Sequence, residues 1–76
     1  MVNNKTFLEK FQSIFDETNP NEIVLDTKFK ELEEWGSLMI LSLIVLLEDE
    51  YNYKITPTEI EKAIFVEDLY NLLNNH

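Results

Sequence analysis

The chain has no cysteine and no arginine, a single histidine at its last position, one glycine and two prolines in 76 residues. Without cysteine there is neither a disulfide nor a thiolate ligand. A lone His76 supplies neither a metal cluster nor the base of a nucleophilic triad. Cationic side chains are also scarce: six lysines stand against fifteen acidic residues, a formal charge of −9. That balance repels nucleic-acid phosphates and anionic membrane surfaces, so partners with basic faces are expected and nucleic acid is not. The longest apolar run, Leu38 to Leu47, is interrupted only by Ser42 and falls short of the roughly 20 residues that span a bilayer. The opening Met1–Lys5 lacks the apolar stretch and cleavage site of a secretory leader. A cytoplasmic protein with no membrane segment is expected, and the missing cysteine fits a reducing compartment.

What the chain does have is apolar residues, 45% of the total with 12% aromatic, enough to attempt one core across residues 1–76 in a single domain. Phe7, Leu8, Phe11, Ile14 and Phe15 repeat at i, i+1, i+4, i+7, i+8 and predict a first helix. It starts near Asn4 or Thr6, where Thr6 to Glu9 has capping-box spacing, and stops before Asn19-Pro20. From there to Gly36 no helical stripe persists, but Ile23, Val24, Leu25, Phe29 and Leu32 predict a long loop pinned to the core.

A second helix is expected from Ser37, whose hydroxyl could cap the first amides, to about Tyr51. Ile40, Leu43, Ile44, Leu47 and Tyr51 share one face, and Leu38, Leu41, Val45 and Asp49 lie broadly opposite. Apolar residues on both faces imply that part of this surface stays exposed near Ser37. Thr56-Pro57-Thr58-Glu59 joins an N-cap, a proline at the first helical position and a capping-box glutamate. A short third helix with Ile60, Ala63 and Ile64 facing inward follows. Phe65, Leu69, Leu72 and Leu73 define a fourth that frays into Asn74-Asn75-His76. The prediction is an all-α four-helix bundle with a long loop between helices one and two and a short helix three.

Catalytic chemistry is poorly supplied. Glu48 to Glu59 has the length of a calcium-binding loop, but Tyr53 stands where that loop requires glycine. The acidic pairs Glu33-Glu34 and Asp49-Glu50 read as solvated charge, and no metal site is expected. Ser37 alone stands out, and by position it is an ordinary serine at a helix start.

Taken in order, Gly36-Ser37-Leu38, the apolar helix after it, Leu47-Glu48-Asp49-Glu50-Tyr51, Ile55-Thr56-Pro57-Thr58-Glu59-Ile60 and Val66-Glu67-Asp68-Leu69 resemble an acyl carrier protein over nearly the whole chain. The resemblance implies a non-catalytic carrier: Ser37 carries a covalent 4′-phosphopantetheine arm, placed there through a phosphodiester by a phosphopantetheinyl transferase. Acyl or aminoacyl groups are then held as thioesters for enzymes of fatty-acid, polyketide or related synthesis. It further implies docking through Leu38, Leu41, Val45, Glu48 and Asp49, and a monomer is expected. Two departures stand out: Gly36 replaces the family's usual aspartate, and Met39 and Ser42 occupy early positions where the family often has acidic residues. An alternative function, supported by Gly36, is a carrier-like interaction module that bears no arm.

Overall fold

Asn3 starts the first helix: its side-chain oxygen accepts from the amides of Lys5 and Thr6 at 2.9 and 3.1 Å. The expected Thr6–Glu9 capping box is therefore not the cap, because Thr6 already lies inside the helix. The structure, a computed structural model, describes residues 3–75. Met1 and Val2, on which part of the leader reading falls, and His76, at the expected frayed end, lie outside the described residues.

Helix α1 (Asn4–Ser13) is followed by a long connection with two short 3-10 turns, then α2 (Ser37–Tyr51), α3 (Pro57–Lys62) and α4 (Val66–Asn74). The described residues contain no strand, and the all-α bundle with a short third helix is the one expected. Phe7, Phe11 and Phe15 are buried on the predicted face of the first segment. The helix nevertheless ends at Ser13, earlier than Asn19-Pro20 suggested. Residues 16–18 turn away because their amides have another acceptor. The Glu34 carboxylate takes hydrogen bonds from the amides of Asp16 (2.7 Å), Glu17 (3.0 Å) and Thr18 (2.9 Å) and from the Thr18 hydroxyl (2.8 Å). Glu34 is thus a structural clamp, which corrects its reading as solvated charge.

The connection is anchored at several further points. Ile23 and Phe29 are fully buried, whereas Val24, expected among the anchors, is exposed. Phe29 meets Phe11 edge-on with centroids 5.7 Å apart and Trp35 at 5.0 Å, and Trp35 also stacks on Phe15 at 6.4 Å. Such offset and edge contacts each add about 0.5–1.5 kcal/mol beyond area burial. Gln12 Nε2 donates to the carbonyls of Pro20 and Ile23. The carbonyls of Thr27 and Leu25 accept from the amides of Val66 and Glu67 at 3.0 and 2.8 Å. The loop therefore satisfies donors at the start of α4 that the helix itself cannot.

Helix α2 buries Met39, Leu43 and Leu47, leaves Ile40, Ile44 and Tyr51 half-buried, and exposes Leu38, Leu41 and Val45. Its facing agrees with the sequence except at Met39, which packs inward. It ends at Asn52, in the left-handed region at φ 53°, with Tyr53 N donating to Leu47 O at 3.1 Å, a closure asparagine tolerates.

The α3 capping box forms as expected, with Glu59 N to Thr56 Oγ1 at 3.2 Å and Thr56 N to Glu59 Oε1 at 3.0 Å. Glu59 also accepts from the Tyr53 hydroxyl at 2.7 Å. That bond, with burial and the carboxylate's charge, leaves the Tyr53 phenol pushed up to about 12. Ile60 and Ala63 are buried, but Ile64 is exposed, because α3 stops at Lys62 and Ala63 is already extended. In α4 the buried set is Val66, Leu69 and Leu73, with Phe65 acting as the extended residue before the helix.

Two outcomes follow from this packing. Leu47, 1% exposed, should cost about 2–5 kcal/mol when replaced by alanine, a large part of a small domain's stability. Leu41→Gln should leave the denaturant midpoint nearly unchanged, and equal destabilisation of the two would refute this facing of α2.

The second outcome concerns Glu34. Desolvation raises its pKa, but the bonds from the Asp16, Thr18 and Glu17 groups together outweigh that and leave it below the ordinary 4.5. A depressed carboxylate stabilises the fold fully above its unfolded value and loses that contribution as pH falls through the folded one. The melting-temperature advantage of the wild type over Glu34→Gln should therefore be complete at pH 7 and shrink below about pH 4.5. A constant difference across that range would remove the clamp's charge from the account.

Candidate functional site

Ser37 is the first residue of α2, and Gly36 before it is the N-cap. The expected capping by the Ser37 hydroxyl does not occur. A residue at the first helical position has its side chain past the amides it would need to reach, and α2 has no side-chain cap. Ile40 N donates to Gly36 O at 3.0 Å, opening the helical ladder. The amides of Ser37, Leu38 and Met39 precede that ladder, at the positive end of a 15-residue helix.

The Ser37 side chain is exposed. Its hydroxyl is therefore available to solvent beside uncapped amides. These are features that suit an anionic phosphodiester, which a helix start favours by about 0.3–1 kcal/mol at an exposed site.

Gly36 does not use glycine's special freedom. Its φ of −176° and ψ of −169° are extended backbone open to any residue. A Cβ added there meets nothing within 4 Å. The departure from aspartate thus has no steric or conformational cause in this fold.

Around Ser37 the exposed surface is apolar. Leu38 is 74% exposed, Leu41 60% and Val45 58%, forming the outward side of α2. Beside them runs an open groove of about 420 Å³, lined by Ile14, Leu41, Ser42, Val45, Leu46, Asp49 and Glu50. Ile14 and Leu46 were not singled out in the sequence as surface residues. Ile14 reads as part of the first helix's inner face, and only the early end of α1 turns it toward α2.

The acidic end of α2 is divided. Glu50 forms an ion pair with Lys10, whose ammonium also lies 5.5 Å from the centre of the Tyr51 ring. The hydrogen bond to Glu50 holds the Lys10 ammonium above its ordinary pKa. Glu48 and Asp49 are exposed. Structure thus places Leu38, Leu41, Val45, Glu48 and Asp49 on the accessible part of one helix, as the sequence suggested. Among the described residues no acidic or histidine cluster could hold a metal ion, and no helix is long and apolar enough to cross a membrane.

Comparison with known proteins accords with this arrangement. Residues 5–73 match the family described as "Phosphopantetheine attachment site". The chain is 31% identical over 77 residues to the acyl carrier protein of Thermosynechococcus vestitus (strain NIES-2133 / IAM M-273 / BP-1), an alignment covering 97% of this chain and 95% of that protein. With both matches running through all four helices, the chain belongs to the acyl carrier protein family, non-catalytic carriers that bear 4′-phosphopantetheine and are modified by a phosphopantetheinyl transferase.

Proposed function

We propose that Ser37 is the residue that carries the arm, and that residues 1–76 act as one monomeric, cytoplasmic carrier of acyl or aminoacyl groups for enzymes of fatty-acid, polyketide or related synthesis. The observation that carries this reading is the exposed Ser37 hydroxyl at the uncapped start of α2, inside the matched span. When bound, the arm supplies a terminal thiol that holds the cargo as a thioester, chemistry a cysteine-free chain cannot supply itself.

The protein's own part is positional. The amides of Ser37, Leu38 and Met39 favour negative charge next to the serine oxygen. The buried side of α2, through Met39, Leu43 and Leu47, fixes the direction in which that oxygen points. Leu38, Leu41 and Val45 offer partners an apolar surface within about 12 Å of helix rise from it. Glu48 and Asp49 offer the carboxylates that basic docking faces would meet. The alternative of an arm-free interaction module rested on Gly36, and the ordinary backbone there gives it no support.

Incubation with coenzyme A and a broad-specificity phosphopantetheinyl transferase should add the mass of one arm to the wild type and nothing to Ser37→Ala. Equal labelling of the two would move the site elsewhere. Gly36→Asp should restore a side-chain cap and raise stability by a few tenths of a kcal/mol, the usual margin of aspartate over glycine at an N-cap. It should also speed arm transfer at low salt, since an added anion beside Ser37 acts chiefly on the association rate with a basic enzyme. An unchanged initial rate at low salt would show that this position is not read by the transferase.

A further inference from the structure

Helix α3 is six residues long, and a helix of that length is marginal in isolation. Its start is closed by the Thr56–Glu59 capping box and by the Tyr53 hydroxyl on Glu59. Its end lacks the left-handed residue that finishes many helices, since Ala63 after it is extended. The last carbonyls of α3 therefore depend on donors from elsewhere. Lys30, 30 residues before Ile60 in the chain, supplies them: its ammonium donates to the carbonyls of Ile60 at 3.2 Å and Glu61 at 2.6 Å. A cation at that place also meets the negative end of the helix dipole.

The two sides of this bridge are held unequally. Phe29, next to Lys30, is fully buried and meets Phe11 and Trp35 edge-on. The base of the Lys30 side chain is thus fixed to the aromatic contacts that lead into α2. Of α3 itself only Ile60 is buried. Between the two runs an open seam of about 300 Å³, with Lys30 and Trp35 on the side of the connection, Ile40 on α2, and Pro57 and Ile60 on α3. Ile40 is three residues beyond Ser37, about 4.5 Å of helix rise, so the seam lies one turn from the serine.

We infer that Lys30 is a strap: it holds α3 down across this seam, and α3 is the part that swings away when the ammonium lets go, while the connection and α2 stay in place. The apolar stem of Lys30 lines the seam and its charged head reaches the carbonyls, so one side chain both covers and fastens. Closure is set by a residue outside α3, and the opening it controls lies beside Ser37. The strap is a property of the unmodified chain and holds whether or not Ser37 takes an arm.

The unmodified chain also tests it, because Trp35 is the one tryptophan and lines the seam. Lys30→Met keeps the stem and removes the ammonium. It should raise the acrylamide quenching constant of Trp35 about twofold and speed amide exchange at Ile60 and Ala63 about tenfold, the scale of losing bonds from a charged donor. The amides of Phe11 in α1 and Leu47 in α2 should exchange at the wild-type rate. Lys30→Arg, which retains a charged donor, should show wild-type quenching. Lys62→Met, which removes the same charge from the last turn of α3, should leave both readouts unchanged. Wild-type values in Lys30→Met, or an equal effect of Lys62→Met, would overturn the strap. So would faster exchange in all helices alike, the mark of a loss of overall stability. The wild type gives a check that needs no variant: the Ala63 amide should exchange about tenfold faster than that of Leu47, and equal rates would show that α3 does not open by itself.

Discussion

The position of Ser37 depends on how the connection from Ile14 to Gly36 is anchored, because the first residue of a helix is aimed by the chain that enters it. Two interactions fix that entry. Phe29 and Trp35 lock edge to face, and through Phe11 and Phe15 they are tied to α1. One residue before Trp35, the Glu34 carboxylate gathers the backbone of residues 16–18. The end of α1 and the start of α2 are therefore fixed by one short segment, and the groove beside Ile14 is a consequence of the same closure. An ionised acceptor with four donors has a directionality that apolar packing lacks. The rings supply burial and the carboxylate supplies register.

That arrangement explains which parts of the fold could be read in advance. Helical stripes and the Thr56–Glu59 capping box are local signals, and they located α2, α3 and α4 closely. Glu34 has no local signal, since its partners lie more than a dozen residues away, so the early end of α1 was invisible in the spacing that made Phe15 look helical. Asn3 escaped for a different reason: Thr6 and Glu9 offered the fuller capping pattern, whereas Asn3 caps through its side chain alone. Ile64 was assigned inward by extending a helical period past the point where α3 stops. At the candidate site, the start of α2 at Ser37 and the exposure of Leu38, Leu41 and Val45 were legible from spacing. The backbone of Gly36 was not, because glycine permits both the extended form found here and the left-handed one.

The acidity of the chain also divides into parts with different work. Glu34, Glu59 and Asp68 accept backbone amides, Glu59 at the start of α3 and Asp68 from Ile64 and Phe65 at the start of α4. At these helix starts a negative charge is stabilised by the dipole. Glu50 is neutralised by Lys10. A formal charge of −9 therefore overstates the free charge on α2, where Glu48, Asp49 and Glu50 are all exposed but Glu50 is paired. Glu48 and Asp49 sit at the negative end of the helix, an unfavourable place for an anion, and no hydrogen bond among the described residues compensates them in the way Glu34 is compensated.

Helix α2 thus has to satisfy two demands that a purely structural helix does not. Its inner side holds the bundle together through Met39, Leu43 and Leu47, and its outer side, on the docking role we propose, stays exposed while remaining apolar. In this small domain Leu38, Leu41 and Val45 stay exposed, while the short α3 and α4 bury Ile60, Val66 and Leu69 in the core. Leaving them uncovered exposes apolar area to water, and it also keeps surface that is recovered only when a partner binds. A carrier must associate and release repeatedly. Burial of two or three exposed side chains gives the modest affinity that such a cycle needs.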